Sequence, residues 1–172
     1  MIEFDIANNW LTEKQHEEVW AKTRYAKGWH FGQRSVSGGI GFWMLDLDND
    51  PLFTETLLKQ IEQDTGKKFE LQRVYANGQT HGLCGSLHQD VIDAAPGEYF
   101  TVLYYANKIW NPVWGGNTVW FDKDNVEIQQ VYPTPNTAVM FDSNILHAGI
   151  EPTRHCTELR ITIAWKLKVA GA

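Results

Sequence analysis

Cysteine is scarce in this chain of 172 residues, which contains only Cys84 and Cys156. Two cysteines cannot form the dense disulfide framework on which small secreted domains depend, so free thiols in a reducing compartment are the simplest interpretation. The sequence also lacks any apolar run approaching the roughly 18 residues that span a bilayer. Its first ten residues, MIEFDIANNW, are acidic and carry no basic region typical of a secretory signal. We therefore expect a cytoplasmic protein with no membrane association.

Positive charge is in deficit, because 15 Lys and Arg residues stand against 21 Asp and Glu, for a formal net charge of -6. The basic residues are scattered instead of forming a stripe, which argues against a surface that follows a nucleic-acid backbone. We expect a peptide, protein or small-molecule substrate and no nucleic-acid partner. The sequence does not fix the oligomeric state. A chain of this length fits one domain, so we assign 1–172 to a single domain.

Aromatic residues are abundant, at 13% of the chain with eight Trp, which favours a sheet-rich core. Helices are predicted over 12–27, where Thr12 and Gln15 form a capping-box pattern, and over about 50–66. A short apolar run at 42–45 predicts a strand between them. Runs of β-branched and aromatic residues predict further strands at 69–76, 84–88, 99–106, 118–121, 126–131, 138–141 and 159–169. This order predicts an α+β, mainly β domain, with helical support over about 1–68 and a β-sandwich or jelly roll over about 69–169.

His88 and Asp90 stand two positions apart, so both side chains leave the same face if this segment is extended. His147 follows an apolar run at 139–141 and supplies a third ligand from elsewhere in the chain. Two histidines and one aspartate leave open positions on a six-coordinate metal, as in non-haem Fe(II) oxygenases. Structural zinc would need four ligands, usually with thiolates, and neither cysteine has the required spacing. Singly, the three residues could be a core histidine, a turn-forming aspartate and a loop histidine, but together they predict a metal site.

Arg160 begins the alternating stretch RITIAWKL, so its side chain shares a face with Thr162 and Ala164. If that face is buried, the guanidinium needs an anion, and its planar fork suits one carboxylate of a dicarboxylic co-substrate. The alternative is that Arg160 lies on the solvent face of an edge strand.

At this point the residues resemble the 2-oxoglutarate and Fe(II)-dependent oxygenases of the prolyl-4-hydroxylase-like branch, over about 72–167. The resemblance lies in six elements in one order: Tyr75 before a glycine-containing loop, HQD at 88–90, TVLYYANKIW at 101–110, WGGNTVWF at 114–121, PNTAVMFDSNILHAG at 135–149 and RITIAW at 160–165. It implies a double-stranded β-helix with supporting N-terminal helices, which agrees with the order of elements already predicted.

The resemblance also implies roles for single residues. His88, Asp90 and His147 match the iron ligands. Arg160 matches the basic residue that pairs with the C5 carboxylate of 2-oxoglutarate, Tyr105 matches a tyrosine hydrogen-bonded to the same group, and Tyr75 looks like a further pocket-lining tyrosine. Cross-strand packing is the alternative for both tyrosines.

One feature departs from the family pattern. The family usually places the basic residue that binds 2-oxoglutarate nearer to the distal histidine than Arg160 stands to His147. Arg154 is therefore a second candidate for the anchor, the residue that binds the C5 carboxylate of 2-oxoglutarate. It lies in a predicted loop flanked by proline, so we prefer Arg160. The polar, glycine-rich segment at 77–85 is either a mobile lid over the metal or a plain connecting loop.

The implied activity is that of a dioxygenase that uses Fe(II), 2-oxoglutarate and dioxygen, with ascorbate as an optional addition. It would hydroxylate an unactivated C–H, in first place that of a prolyl residue in a peptide or protein. Asp90 favours hydroxylation, since family members that halogenate typically lack this carboxylate. Two alternatives stay open: a nucleic-acid demethylase on the same fold, disfavoured by the negative charge, and a non-catalytic cupin-like module that binds a metal or ligand.

Overall fold

Ten strands and two α-helices make up the regular structure of residues 4–171, which are those described by the computed structural model. The helices are α1 (Glu13–Arg24) and α2 (Leu57–Thr65), with a π-helical turn at Leu52–Thr56 and a 3-10 turn at Pro112–Trp114. The strands are β1 (Asp5–Asn8), β2 (His30–Gln33), β3 (Phe42–Asp46), β4 (Phe69–Gln79), β5 (Tyr99–Tyr105), β6 (Thr118–Phe121), β7 (Glu127–Val131), β8 (Thr137–Asp142), β9 (Leu146–Gly149) and β10 (Arg160–Val169).

The strands form two antiparallel sheets. The large sheet has the order β1-β8-β5-β10-β4-β3-β2, and the small sheet has the order β7-β6-β9. Side chains from β5, β8 and β10 pack between the sheets against Trp120 of β6 and Val131 of β7. The opposite face of the large sheet packs against residues of α1 and α2, including Val19, Leu57 and Ile61. The predicted α+β, mainly β class is confirmed, and the space between the sheets is where a site can form.

Strand β10 lies near the middle of the large sheet, between β4 and β5. Its odd-numbered residues Ile161, Ile163 and Trp165 are fully buried in the core on the helical side. Its even-numbered residues therefore face the small sheet, because side chains alternate along a strand. Arg160, at 1% exposure, is thus turned into the protein and not toward solvent.

Both predicted helices are present. Thr12 is the N-cap of α1, where its hydroxyl accepts from the Gln15 amide and the Gln15 side chain accepts from the Thr12 amide. Gly66 follows α2 in the left-handed conformation, with φ of 66°, which is readily accessible to glycine. Within residues 4–171 no helix combines the length and the apolar character needed to cross a membrane.

Three strand predictions need correction. Residues 84–88 are not a regular strand, because only the single bridge between His88 and His147 pairs there. The segment around His147 itself forms β9, which the sequence pattern did not predict. In addition, β1 and β2 within 1–68 were not predicted, whereas the strand predicted at 42–45 is β3, and all three join the large sheet. β1 and β2 are four-residue strands at the sheet's edges, too short to show an alternating pattern.

Replacing Thr12 by Ala should lower the free energy of unfolding by about 1 kcal/mol, because the first turn of α1 loses its side-chain cap. Urea denaturation followed by circular dichroism measures this. Thr157→Ala, in an exposed loop, is the matched control and should change stability by less than about 0.5 kcal/mol. Equal stability of the two variants would show that the capping box contributes nothing.

Candidate active site

His88, Asp90 and His147 come together between the two sheets. His88 and His147 form an antiparallel bridge, with each backbone amide donating to the other residue's carbonyl at 3.0 and 2.9 Å. The Asp90 amide donates to Ser143 O at 2.9 Å, which brings the aspartate to the same place. His88 Nε2 lies 3.4 Å from Asp90 Oδ1, and His147 Nε2 lies 3.6 Å from Asp90 Oδ2. One ligand atom from each residue lies within 4.8 Å of the others, which is compact enough for one ion.

The hydrogen bonds of the two imidazoles determine which nitrogen faces the cluster. Nδ1 of His88 lies 2.8 Å from Ser86 O, and Nδ1 of His147 lies 2.9 Å from Ile145 O. A carbonyl only accepts, so each Nδ1 carries the hydrogen and each Nε2 presents a lone pair. Orientation of ligand histidines by such partners is typical of metal centres. The donor set therefore fits a divalent metal.

Electrostatics keep His147 and Asp90 in the states that a metal requires. Burial lowers the pKa of His147 to about 4, so its imidazole is neutral near pH 7. Burial by itself would raise the pKa of Asp90, but the Lys166 ammonium, His147 and His88 outweigh it and hold that pKa well below its usual value. The ligand set thus includes a neutral His147 imidazole and an ionised Asp90 carboxylate.

The two oxygens of Asp90 have different surroundings. Oδ2 accepts a hydrogen bond from the Thr101 hydroxyl at 2.6 Å and contacts the ammonium of Lys166. Thr101 is itself in hydrogen-bond contact with the Ser143 hydroxyl at 2.9 Å. Oδ1 has no such donors among the described residues and faces His88, so Oδ1 is the oxygen best placed to bind a metal.

A cavity of about 170 Å³ opens beside this cluster and is lined by all three ligands and by Arg160. The guanidinium of Arg160 donates from Nε to Gly116 O at 2.6 Å, from Nη1 to Gln79 Oε1 at 2.7 Å and from Nη2 to Thr118 Oγ1 at 3.0 Å. None of these partners is anionic, and each Nη keeps one further N–H. A buried cation in this state is suited to an anionic ligand.

The structure discriminates between the two candidate anchors. Arg154 lies on an exposed loop and is not among the cavity residues, whereas Arg160 is. Tyr75 lines the cavity, but Tyr105 does not. The Tyr105 hydroxyl instead donates to Thr118 Oγ1 at 2.8 Å, and its ring lies 5.6 Å from the Arg160 guanidinium. The Tyr105 hydroxyl is thus bound to Thr118, a partner of Arg160, and its expected contact with a co-substrate stays a prediction.

Four polar residues that contact the ligand Asp90 or the Arg160 guanidinium were not predicted from the sequence: Gln79, Thr101, Thr118 and Lys166. Lys166 could have been found, since it continues the inward series that begins at Arg160. Gln79 was placed in a loop at 77–85, but β4 extends to Gln79, so a loop begins only at residue 80. The remaining two are threonines in strands, a pattern that does not distinguish a site from ordinary packing.

The model of one protein family, the 2OG-Fe(II) oxygenase superfamily, matches residues 73–165. This chain belongs to that superfamily. Membership implies Fe(II), 2-oxoglutarate and dioxygen as the metal and co-substrates of the oxygenase. No curated protein sequence matches the chain.

Solved structures of other oxygenases resemble this one. A Pseudomonas putida prolyl-4-hydroxylase is 17% identical with a TM-score of 0.74, over 98% of this chain and 93% of that chain. A prolyl hydroxylase from Trichoplax adhaerens, in complex with a hypoxia inducible factor peptide, is 18% identical with a TM-score of 0.70, over 96% and 83%. HygX from Streptomyces hygroscopicus, with nickel, 2-oxoglutarate and hygromycin B bound, is 10% identical with a TM-score of 0.71, over 99% and 84%. At these low identities the structural likeness shows the fold alone. It confirms the predicted double-stranded β-helix.

Stability of the metal-free oxygenase should fall as the pH drops from about 6.5 to about 4. In that window the unfolded chain takes up a proton on His147 that the folded chain does not, so acid favours unfolding, by roughly 3 kcal/mol at most. Denaturation of chelator-treated protein at several pH values measures the slope. His147→Gln should flatten it, whereas His155→Gln, at an exposed position, should not. An unchanged slope in His147→Gln would contradict the assignment of a buried neutral imidazole.

Proposed function

We propose that this oxygenase hydroxylates an unactivated C–H of a prolyl residue in a peptide or protein, with Fe(II) held by His88, Asp90 and His147. The observation that carries the proposal is the convergence of these three side chains beside a cavity that also contains a buried guanidinium. Structural likeness to two prolyl hydroxylases, over nearly the whole chain, supports proline as the target. We also infer one domain over 1–172, and from the scarcity of cysteine we infer a cytoplasmic location.

Each residue of the candidate site would have a distinct role. Nε2 of both histidines and Oδ1 of Asp90 would occupy one face of the metal and leave its other positions open. Fe(II), when bound, supplies activation of dioxygen coupled to decarboxylation of 2-oxoglutarate. Arg160 would hold the distal carboxylate of that co-substrate, and Gln79, Gly116 and Thr118 keep the guanidinium in place. Tyr105 would act as a positioning residue through Thr118.

The apolar side chains of the cavity wall would have a different role from the polar ones. Leu103, Phe141 and Ala164 line the cavity, and the ring of Phe141 lies 4.9 Å from that of His147. Such side chains exclude water from the reacting atoms and strengthen the electrostatic contacts within the site. Retention of the Asp90 carboxylate fits hydroxylation, as the family resemblance implies.

The direct test is succinate formation from 2-oxoglutarate under Fe(II) and air, with ascorbate to keep the iron reduced and with prolyl peptides as substrates. We expect substrate-stimulated succinate and an added oxygen on proline by mass spectrometry. His88→Ala or Asp90→Ala should reduce turnover by more than the roughly 10–100-fold that loss of an outer partner of a ligand causes. His155→Ala is the control. A folded protein that forms no succinate with any substrate would instead support the non-catalytic cupin-like alternative.

Arg160→Ala should raise the apparent KM for 2-oxoglutarate by roughly 100-fold or more, because two charge-assisted hydrogen bonds of about 1.5–3 kcal/mol each would be lost. Arg160→Lys keeps the charge without the fork and should fall between this variant and the unmodified protein. Arg154→Ala is the matched control, since Arg154 is the competing anchor in the sequence. A larger KM change in Arg154→Ala than in Arg160→Ala would overturn the choice of anchor. Thermal denaturation of each variant checks that it is folded.

A further inference from the structure

The inward face of β10 carries a second cation at the metal end of the cavity. Arg160, Thr162, Ala164 and Lys166 follow one another on this face, and all four line the cavity. The Lys166 ammonium contacts Asp90 Oδ2 and lies 3.4 Å from Thr101 Oγ1. Its side chain keeps 19% of its surface exposed and lines the cavity, so Lys166 is not sealed behind the ligand.

Charge on the cavity wall is opposite in sign to that of the whole protein. The chain has a formal net charge of -6. Among the described residues that line the cavity, Arg34, Arg160 and Lys166 are cationic and Asp90 alone is anionic. A concave wall with this excess of one sign concentrates ligands of the other sign.

The excess persists when the site is filled in the way proposed above, and this inference rests on that proposed function. Asp90 and a bound 2-oxoglutarate dianion would neutralise Arg160 and the divalent metal. Arg34 is exposed to solvent, so one buried positive charge would remain in excess, at the Lys166–Asp90 pair beside the position left for the substrate. Net charge in a buried site is unfavourable, so a substrate that brings one negative charge is favoured there.

We propose that Lys166 binds a carboxylate of the substrate, and that Arg34 at the cavity wall assists its entry. A carboxylate matches the single excess charge, whereas a phosphate monoester would bring more negative charge than the site leaves uncompensated. Only the Asp90 carboxylate separates the ammonium from the candidate metal position. The bound carboxylate therefore lies within a few bonds of the C–H that reacts. Within the proposed function, this identifies the substrate class as a prolyl residue with its own carboxylate free.

The test compares carboxylic acids with their neutral amides on protein loaded with Mn(II) and saturating 2-oxoglutarate. The probes are N-acetyl-L-proline with N-acetyl-L-prolinamide and acetate with acetamide, and binding is measured by calorimetry. We expect each acid to bind about ten-fold or more tightly than its amide, as a hydrogen bond to a charged group allows. Lys166→Gln, measured at Mn(II) and 2-oxoglutarate concentrations that saturate the variant, should abolish this preference, although loss of a partner of Asp90 should itself weaken Mn(II) binding by roughly 10–100-fold. Lys168→Gln, on the same strand and outside the cavity, should retain it.

Three results would overturn the proposal: no acid preference in the unmodified protein, no measurable binding of either acid, or a preference that survives Lys166→Gln. Equal loss of acid and amide binding in Lys166→Gln at saturating Mn(II) and 2-oxoglutarate would also overturn it, because Lys166 would then act only by positioning Asp90. Failure of the proposed function would give a different result. The protein would then prefer the acid but would not hydroxylate N-acetyl-L-proline under Fe(II). That result would remove proline as the target and leave the carboxylate site in place.

Discussion

The candidate site depends on one pair of backbone hydrogen bonds, those between His88 and His147. They bring two histidines from distant parts of the chain side by side, with ring centroids 4.3 Å apart. The bonds join a segment with no other regular pairing to β9, which is fixed in the small sheet by β6. Because the pairing is in the backbone, both imidazoles can use their side-chain nitrogens for other contacts. Each Nδ1 is taken by a carbonyl, so the two Nε2 atoms are left to converge on Asp90.

The second constraint is the register of β10, which builds the core with one face and the cavity with the other. A shift by one residue would exchange the two faces. Ile161, Ile163 and Trp165 are fully buried, and removing all three from water is worth roughly 5–9 kcal/mol. That gain exceeds anything the cations on the opposite face contribute, because their burial is itself unfavourable. The apolar face therefore sets the register, and Arg160 and Lys166 point into the cavity as a consequence.

Features set by residues close together in the sequence could be predicted, whereas features set by pairing of distant residues could not be predicted from local patterns. The capping box at Thr12 and the alternation from Arg160 are local patterns, and both appear as expected. The convergence of His88, Asp90 and His147 required knowledge of how distant strands meet, which the family resemblance supplied. Pairings that leave no local pattern could not be predicted: the short edge strands, the single bridge at His88 and the continuation of β4 to Gln79. Thr118 and Gln79 are partners of Arg160 only because the end of β4 and the beginnings of β6 and β10 lie close together.

The two inward cations of β10, Arg160 and Lys166, are held in different ways, and this difference gives the cavity its polarity. Arg160 is fixed by an amide oxygen, a hydroxyl and a backbone carbonyl, so its charge stays available to a ligand. A carboxylate partner would neutralise it and compete with the ligand's own carboxylate. Lys166, in contrast, is paired with Asp90, and this pairing raises the pKa of Lys166 although burial would lower it.

Long-range repulsion does not cancel this local attraction. The net charge of -6 disfavours the approach of anions, but at physiological ionic strength the repulsion is screened beyond about 8 Å. Charges on the cavity wall are buried or partly buried and are screened much less, so these few charges decide what binds. An acidic protein can therefore take up a dianionic co-substrate without a basic surface, provided that its cations are placed on the inward face of a buried strand.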